Sequence, residues 1–311
     1  AERAAGSGPA GRGAAGGGGV TAAGDLDGRT ALVTGANAGI GLATAEGLAA
    51  RGAAVLMHGR DPAKLEAART EVAAVASTPP RAFVADFARL EEVARLAEEV
   101  RAASPQIDLL VNNAGFIQDR FELTDDGVEK IFQVNHLAPF LLTLRLIDAL
   151  AGARVITLAS SAHANVDRLP LDQLVRPARH RPFDVYARSK ACNILFTAEI
   201  ARRTRDLFAF AVHPGVVATR FARDGDTGGW LRGLVWFLRP LMRTPERGAD
   251  SVLWLAGTDA PPPSGTYVAD RKPRAPKAFA RDPDTATALW ALSEELVAPH
   301  LATEGRHERA G

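Results

Sequence analysis

A glycine-rich turn near the start of the patterned sequence restricts the possible folds more than any other feature. Gly35, Gly39 and Gly41 separate a short β-branched run at 30–34 from an apolar helical pattern at 40–50. Glycines at such a turn let backbone N–H groups and the helix N-terminus approach a pyrophosphate closely. An ordinary strand-to-helix turn is the simpler interpretation, but the strand before it and the helix after it favour dinucleotide binding.

Downstream of this turn, short apolar runs alternate with longer helical patterns, which indicates parallel strands joined by crossover helices. The predicted fold class is α/β: a single-domain, Rossmann-type, doubly wound parallel sheet with helices on both faces. The predicted strands span 30–34, 54–57, 81–85, 108–111, 154–158, 208–212 and 266–268. The predicted helices span 40–50, 62–76, 90–102, 125–150, 185–204 and 245–256. Pro139 should bend or interrupt the helix at 125–150, because proline lacks the helical N–H donor.

Local composition sets the domain limits. Residues 1–24 are rich in Ala and Gly and lack hydrophobic periodicity, so we predict a flexible tail there. Residues 25–300 are predicted to form one dinucleotide-binding domain, with irregular insertions at 163–184 and 220–244, and 301–311 a C-terminal tail.

Charge and cysteine content exclude several functional classes. The chain carries 37 basic and 36 acidic side chains, so no basic field favours a nucleic-acid partner. A single cysteine, Cys192, excludes an internal disulfide and is typical of a reducing compartment. No apolar run reaches the roughly 18 residues of a membrane span. We therefore expect a soluble, cytoplasmic protein.

Tyr186 and Lys190 are four residues apart on a predicted helix, so their side chains share one face. A nearby ammonium favours the phenolate, which would lower the pKa of the tyrosine and make it a usable proton donor. Such a pair alone is more often a solvated surface pair. The upstream glycine turn is what favours catalysis here.

The spacing of the glycine turn and four further motifs resemble the short-chain dehydrogenase/reductase family. These motifs are Thr34 with Gly35, Gly39 and Gly41, the Asn-Asn-Ala-Gly segment 112–115, Asn135 in 134–137, the pair Ser160 and Ser161, and Pro214-Gly215 followed by Thr219. The resemblance covers about 28–268. It implies a nicotinamide-dependent oxidoreductase.

The resemblance also implies the residue roles. Tyr186 would exchange a proton with the substrate oxygen, Ser161 would hydrogen-bond that oxygen, Lys190 would hold the nicotinamide ribose, and Asn135 would order a water behind Lys190. The predicted cofactor-binding residues are Gly35, Asn37, Gly39, Ile40, Gly41, Arg60, Asp86, Asn112, Ala114, Gly115, Tyr186, Lys190, Pro214, Gly215 and Thr219. No metal is predicted.

The end of the second strand indicates which nicotinamide cofactor is bound. An NAD-specific protein usually places a carboxylate there, which would repel a 2′-phosphate, whereas Arg60 can pair with that phosphate. We therefore predict NADP rather than NAD, with Arg60 as a plain surface charge the alternative. Asp86, after the third strand, is expected to accept from the adenine amine by resemblance, or to cap the following helix.

Three strings resemble the retinol-dehydrogenase-like branch of the family: 134–143, 160–163 and 189–196. The chain departs from that branch at Phe87, where leucine is more usual, which affects local packing only. His163 could line the pocket, but a lone histidine is more often structural, and we leave it outside the catalytic set.

The apolar, aromatic-rich run at 230–242 carries the substrate information. It is interpreted first as a substrate lid within 220–244, which favours a hydrophobic carbonyl or alcohol. Core or subunit packing and a membrane-surface contact are the alternatives. The sequence thus predicts NADP(H)-dependent hydride transfer to or from a hydrophobic aldehyde, ketone or alcohol, by a homo-oligomer. The other functions considered are an NADP-binding sensor or scaffold without turnover and a sugar-nucleotide epimerase or dehydratase.

Overall fold

The computed structural model describes residues 24–215 and 243–301. Within these ranges the strands are β1 (Thr30–Val33), β2 (Ala54–Gly59), β3 (Arg81–Val84), β4 (Leu109–Asn112), β5 (Arg154–Leu158), β6 (Phe208–His213), β7 (Thr266–Ala269) and β8 (Lys272–Pro273). Thr219, nearly all of the predicted lid and most of both predicted tails lie outside the described residues.

The strands form one sheet in the order β3-β2-β1-β4-β5-β6-β7-β8. Neighbouring strands from β3 to β7 are parallel, and β8 pairs antiparallel with β7. The strand order changes direction between β1 and β4, because β2 and β3 lie on one side of β1 and the later strands lie on the other. This switch point places a crevice at the carboxyl ends of these two strands. This topology confirms the predicted doubly wound α/β fold.

Helices cover both faces of the sheet. One face carries α1 (Gly39–Ala49), α2 (Pro62–Ala73) and α8 (Pro245–Gly257), and the other carries α3 (Leu90–Ala103), α5 (Ala138–Arg145), α7 (Pro182–Arg203) and α9 (Pro283–Leu301). In α3 the buried positions Leu90, Val93, Leu96, Ala97 and Val100 follow the helical repeat. This spacing turns one apolar stripe towards the sheet.

The helix predicted at 125–150 starts later, at Lys130, and is divided into several helical segments. The chain forms an isolated bridge between Leu123 and Glu129, then α4 (Lys130–Phe132), a π-helix (Gln133–Leu137), α5 and a 3-10 helix (Ile147–Leu150). Glu129 sets the start, because its carboxylate accepts from the backbone N–H of Phe132 at 2.8 Å. Pro139 does interrupt the regular pattern, as expected, since it lies in the first turn of α5, two residues after the π-helical turn.

The C-terminal part contains two elements that the sequence did not indicate. The sheet does not end at β7, because Asp270 and Arg271 form a two-residue turn with φ of 53° and 57° that leads into β8. Helix α9 places the ring of Trp290 at 4.9 Å from that of Phe140 and 6.0 Å from that of Phe196. This helix therefore closes the core over α5 and α7.

Candidate active site

The glycine turn has the geometry that a phosphate-binding turn needs. Gly35 and Gly39 have φ of +64° and +57°, a region that favours glycine. A Cβ at Gly41 would lie 2.2 Å from the carbonyl oxygen of Gly35 and 2.5 Å from Nδ2 of Asn113. Helix α1 begins after Ala38 with no side-chain cap and no acidic residue in its first turn. Its first N–H groups therefore face the turn without a side-chain acceptor, which fits a dinucleotide phosphate.

Asn113 holds this turn against the end of β4. Its Nδ2 donates to the carbonyl oxygens of Thr34 at 2.7 Å and Gly35 at 3.2 Å. The Thr34 hydroxyl accepts in return from the backbone N–H groups of Asn113 and Ala114, both at 3.0 Å. Asn113 was not among the predicted cofactor-binding residues, although it belongs to the Asn-Asn-Ala-Gly segment.

Asn112 was predicted to contact the cofactor, but the structure points its side chain into the core. It is 2% exposed, and its Nδ2 donates to the hydroxyl of Thr143 on α5 at 3.1 Å. Successive side chains on a strand point to opposite faces, so only one of two adjacent asparagines can face the turn. That residue is Asn113.

His58 supports the glycine turn from beneath. Its Nδ1 accepts from the backbone N–H of Gly35 at 3.4 Å, and its Nε2 donates to the carbonyl of Ala85 at 3.0 Å. The ring stacks on Phe87 with centroids 4.3 Å apart. Burial lowers the pKa of His58 to about 4, so the imidazole is neutral at physiological pH. Phe87, at the position where leucine is more usual, therefore packs against the ring of His58.

Arg60 directly follows β2 and its side chain is exposed. The carboxamide oxygen of Asn37 lies 3.3 Å from the position of a Cβ on Gly59, so the glycine turn and the end of β2 are adjacent. Ile40 is partly buried in the first turn of α1. These predicted cofactor-binding residues therefore line one edge of the crevice.

Asp86 forms a local turn rather than the helix cap considered from the sequence. Its Oδ1 accepts from the backbone N–H of Ala88 at 3.0 Å, and α3 has Arg89 as its N-cap. The backbone N–H of Asp86 donates to the carboxylate of Glu92 at 2.8 Å. Asp86 is partly exposed beside the end of β3, where an adenine amine could reach it.

Both serines of the predicted pair lie at the end of β5. Ser160 lies beside Tyr186, where its side-chain hydrogen bond lowers the pKa of the phenol, and its Oγ accepts from the backbone N–H of Ala162 at 3.1 Å. Ser161 is exposed and opens a 3-10 helix (Ser161–Asn165). The role predicted for Ser161 stays a prediction, and the contact with Tyr186 makes Ser160 a second candidate for it.

Lys190 lies beneath Tyr186 on α7. Its Nζ is 5.7 Å from the centre of the Tyr186 ring and donates to the carbonyl of Leu158 at 3.0 Å. Burial lowers the pKa of Lys190 to about 8 and raises that of Tyr186 to about 12, which the hydrogen bond from Ser160 partly opposes. The lowered tyrosine pKa expected from the sequence is therefore not seen, because burial of the phenol has the largest effect.

Asn135 links the π-helical turn to the segment at Phe116 and to α7. Its Oδ1 accepts from the backbone N–H of Phe116 at 2.8 Å, while its Nδ2 donates to the Phe116 carbonyl and to the Ser189 hydroxyl, both at 3.0 Å. A Cβ on Gly115 would lie 3.0 Å from Oδ1 of Asn135 and 3.3 Å from Nζ of Lys190. The small residue allows this close approach.

The π-helical turn affects the backbone of Asn135. Within this turn the N–H of Ala138 bonds to the carbonyl of Gln133. In an α-helix the carbonyl of Asn135 would accept from residue 139, but Pro139 has no N–H. If Asn135 orders a water, its backbone carbonyl is a better candidate than its carboxamide, which already has three hydrogen bonds.

Pro214 and Gly215 follow β6 at the same edge of the sheet. Gly215 has φ of +85°, and a Cβ there would lie 2.6 Å from Cδ of Arg243. Arg243 pairs with Asp270 at 2.5 Å. The predicted continuation to Thr219 lies outside the described residues.

Apolar side chains pack around the ring of Tyr186. The ring of Phe183 is 6.5 Å from that of Tyr186 and is 46% exposed. The other apolar residues of this cluster are Phe116, Ile117, Ile131 and Val185. The site therefore combines two hydroxyls and a buried ammonium with an apolar wall.

Among the residues that the structure describes, no helix combines the length and apolar character needed to cross a membrane. The same residues contain no group of three or more His, Cys, Asp or Glu side chains arranged to hold a metal ion.

Two relatives match nearly the whole chain. A protein from Streptomyces sp. (strain C5) assigned as a daunorubicin C-13 ketoreductase is 39% identical over 277 residues, covering 88% of this chain and 94% of its own. Retinol dehydrogenase 12 from Mus musculus is 36% identical over 280 residues, covering 88% of this chain and 87% of its own.

Solved structures agree with the fold. An uncharacterized protein from Mycobacterium paratuberculosis has 35% identity and a TM-score of 0.72, covering 88% of this chain and 94% of its own. A short chain dehydrogenase from Burkholderia cenocepacia J2315, in complex with NADP, has 26% identity and a TM-score of 0.63, covering 83% and 100%. A family profile described as short chain dehydrogenase matches residues 29–228. The chain therefore belongs to the short-chain dehydrogenase/reductase family, whose members bind a nicotinamide cofactor, and it resembles the retinol dehydrogenases.

Proposed function

We propose that this protein is an NADPH-dependent reductase of hydrophobic aldehydes or ketones, able to oxidise the corresponding alcohols in reverse. The observation that carries the proposal is the hydrogen bond between the hydroxyls of Tyr186 and Ser160, with Lys190 beneath the tyrosine ring. The glycine turn follows β1, which lies two strands from β5 in the sheet. This arrangement supports hydride transfer at a carbon whose oxygen contacts the two hydroxyls.

When bound, the nicotinamide supplies or accepts the hydride. The chain's own residues bind the substrate oxygen and move the proton. Ser160 and Tyr186 donate to that oxygen and stabilise the negative charge that develops on it. Tyr186 then transfers its proton to form the alcohol, and Lys190 stabilises the resulting phenolate.

The pKa values favour reduction at neutral pH. A tyrosine with a pKa raised to about 12 keeps its proton and is therefore in the form that donates to a carbonyl oxygen. Lys190, with a pKa of about 8, still carries its charge at pH 7. Alcohol oxidation would first require the phenolate, which burial disfavours.

The NADP preference is supported by Arg60. It is exposed directly after β2, where a carboxylate would contact the ribose of NAD, and its planar guanidinium can pair with a 2′-phosphate. The relative from Burkholderia cenocepacia was solved with NADP. In the proposed complex the pyrophosphate lies at the N-terminus of α1, held by Gly35, Gly39 and Gly41.

A hydrophobic substrate is supported by the apolar residues around Tyr186. Phe183 is half exposed beside the tyrosine ring, and Ile117 and Val185 pack behind it. The two similar proteins are named as a daunorubicin C-13 ketoreductase and a retinol dehydrogenase. A large, flat, apolar carbonyl compound is therefore the proposed substrate class.

The test is the initial rate of NADPH oxidation with aliphatic, aromatic, retinoid, steroid and polycyclic carbonyls, with NADH in parallel. We expect turnover of the bulky apolar carbonyls with NADPH, and a rate about 10²–10⁴-fold lower for Tyr186→Phe. Failure of every carbonyl, and of every corresponding alcohol with NADP⁺, would refute the reductase and leave the sensor hypothesis. A preference for NADH would refute only the cofactor assignment.

Self-association and a cytoplasmic location stay predictions from the sequence. Sedimentation at several concentrations would test the first, and cell fractionation the second. The lid at 220–244 likewise stays a prediction.

A further inference from the structure

We infer that His163 and His213 are positioning residues that hold the peptide group between Ser160 and Ser161, and through it the hydroxyls of both serines. The inference deepens the proposed function and rests on it, because this peptide matters only if a serine hydroxyl contacts the reacting oxygen. Each histidine binds a backbone atom of the peptide.

The two histidines contact opposite ends of one peptide group. The carbonyl oxygen of Ser160 lies 2.6 Å from Nδ1 of His163, and the backbone N–H of Ser161 donates to Nδ1 of His213 at 3.2 Å. His163 belongs to the 3-10 helix that starts at Ser161, whereas His213 is the last residue of β6. The peptide is therefore held between a loop and the sheet.

These contacts determine the tautomer of each imidazole. A carbonyl oxygen can only accept, so Nδ1 of His163 must carry a hydrogen. The backbone N–H of Lys277 donates to Nε2 of His163 at 3.3 Å, so this nitrogen must be unprotonated. Nδ1 of His213 accepts from the backbone N–H of Ser161 and must also be unprotonated, so the hydrogen of neutral His213 is on Nε2. The two neutral histidines thus have opposite tautomers.

The surroundings keep both rings neutral. His163 is 4% exposed and packs edge-on against Tyr267 at 5.3 Å. Burial lowers its pKa, the hydrogen bond to Ser160 opposes this, and the charge of Lys277 adds to it. Burial also lowers the pKa of His213; Arg243 and His163 add to this effect, and Asp270 opposes it.

Protonation of either ring would break the arrangement. A second hydrogen on His163 would face the N–H of Lys277, and a second hydrogen on His213 would face the N–H of Ser161. Two donors cannot bond each other, so the peptide would turn and move the serine hydroxyls. A displacement of about 1 Å is enough to cost roughly 100-fold in rate. The rate of turnover should therefore fall in acid.

The direct test needs no turnover. Long-range nitrogen–proton correlation spectra of the ¹⁵N-labelled wild-type protein at pH 7.5 report the protonated nitrogen of each of its seven histidines. Signals are assigned through the backbone and by loss in the His163→Asn and His213→Asn proteins. We expect hydrogen on Nδ1 in His163 and on Nε2 in His213. The reverse tautomer in either ring refutes the inference, whatever the enzyme does.

The kinetic test compares alanine with asparagine at each position. Asparagine places an amide donor or carbonyl acceptor near the site of Nδ1, whereas alanine places none. We expect kcat to fall about 10–100-fold in His163→Ala and His213→Ala, with a smaller change in KM. His163→Asn and His213→Asn should recover most of that loss. His300→Asn, on α9, is the matched control and should keep the wild-type rate.

Acid sensitivity separates positioning from general stability. Asparagine does not titrate, so the double variant His163→Asn/His213→Asn should keep its kcat at pH values where the wild-type rate declines. Circular dichroism and NADPH binding check that each variant is folded. Alanine variants with wild-type kcat, or asparagine variants no better than folded alanine variants, would overturn the inference. If no carbonyl is turned over, the proposed function fails, and the tautomer result still decides the geometry.

Discussion

The Ser160 hydroxyl is constrained at the scale of a single residue by two neighbours. The backbone N–H of Ala162 donates to it, and the Tyr186 hydroxyl shares a hydrogen bond with it. A carbonyl oxygen that replaces this mutual contact would receive both hydroxyl hydrogens. Such fixed donors stabilise a developing negative charge without having to reorganise during the reaction.

The adjacent serines provide a matched pair of variants. Ser160→Ala should lower kcat about 10²–10³-fold, because one donor to the reacting oxygen is lost. Ser161→Ala should change kcat only slightly, since that side chain is exposed and its contact to His213 is through the backbone. Both would be measured as NADPH oxidation rates with the best carbonyl of the panel. Equal losses in the two variants would contradict the assignment to Ser160.

Arg60 allows a similar test of cofactor choice. Arg60→Asp replaces a cation by an anion where the 2′-phosphate is expected, so the NADPH to NADH ratio of kcat/KM should fall about 100-fold or more. Arg69, a partly exposed arginine paired with Glu66 on α2, is the control, and Arg69→Asp should leave the ratio unchanged. An unchanged ratio in Arg60→Asp would show that Arg60 is only a surface charge.

The sequence predicted some of these residues well and others badly, for a physical reason. Tyr186 and Lys190 were found because a helix brings residues four apart onto one face. Periodicity could not distinguish Ser160 from Ser161 or Asn112 from Asn113, because the neighbours are identical and only the exact end of β5 or β4 determines which side chain faces the crevice. The buried state of Tyr186 also depends on distant residues, so no local pattern predicted its raised pKa.

At the scale of elements, the glycine turn and α1 act as one unit. Gly41 lies so close to the Gly35 carbonyl that even a methyl group must displace the backbone. The turn is further held by Asn113 from β4 and His58 from β2. A change in any of these contacts therefore moves the first N–H groups of α1.

Gly41→Ala should weaken NADPH binding strongly, because the added Cβ would lie 2.2 Å from a backbone oxygen. Gly152→Ala is the control: it has φ of +76° but nothing within 4 Å of the added Cβ. The control should cost about 1 kcal/mol of stability and leave cofactor affinity unchanged. Fluorescence titration with NADPH measures the first effect and urea unfolding the second. Equal affinity of Gly41→Ala and wild type would contradict the phosphate-binding role of this turn.

The element boundaries show what single-sequence periodicity can determine. The β-α pattern up to α3 was predicted to within about one helical turn, because its apolar repeats are regular. The helix at 125–150 was overextended, since the capping role of Glu129 and the π-helical turn depend on tertiary contacts. Strand β8 was overlooked because Asp270 and Arg271 lack the glycine that usually marks such a hairpin.

At the scale of the whole molecule, buried histidines link stability to pH. Burial lowers the pKa of His58 and of His136 to about 4, below the ordinary value of 6.5. Between pH 6.5 and about pH 4, these two histidines are protonated in the unfolded chain but stay neutral in the folded protein. Glu129, with its pKa raised to about 7 by burial, opposes this between pH 7 and 4.5.

The free energy of unfolding should therefore decrease from pH 6.5 to pH 4, by at most roughly 3 kcal/mol per buried histidine. Urea unfolding at pH 7, 6, 5 and 4.5 measures this. Glu129→Gln removes the opposing contribution and should make the decrease steeper, whereas His300→Asn should not change the contribution of the two buried rings. Stability that rises over this range in the wild type would contradict the prediction.

The position of α9 also determines when the protein can finish folding. Nε2 of His136, next to α5, lies 3.0 Å from the Ser293 hydroxyl, a contact that joins residues 157 positions apart. A ribosome makes the chain from its N-terminus, so the aromatic face of α5 and α7 forms well before the helix that covers it. Until Trp290 leaves the exit tunnel, this face is exposed to chaperones and to neighbouring chains. A chain truncated before α9 would therefore keep this aromatic face exposed and be prone to aggregation.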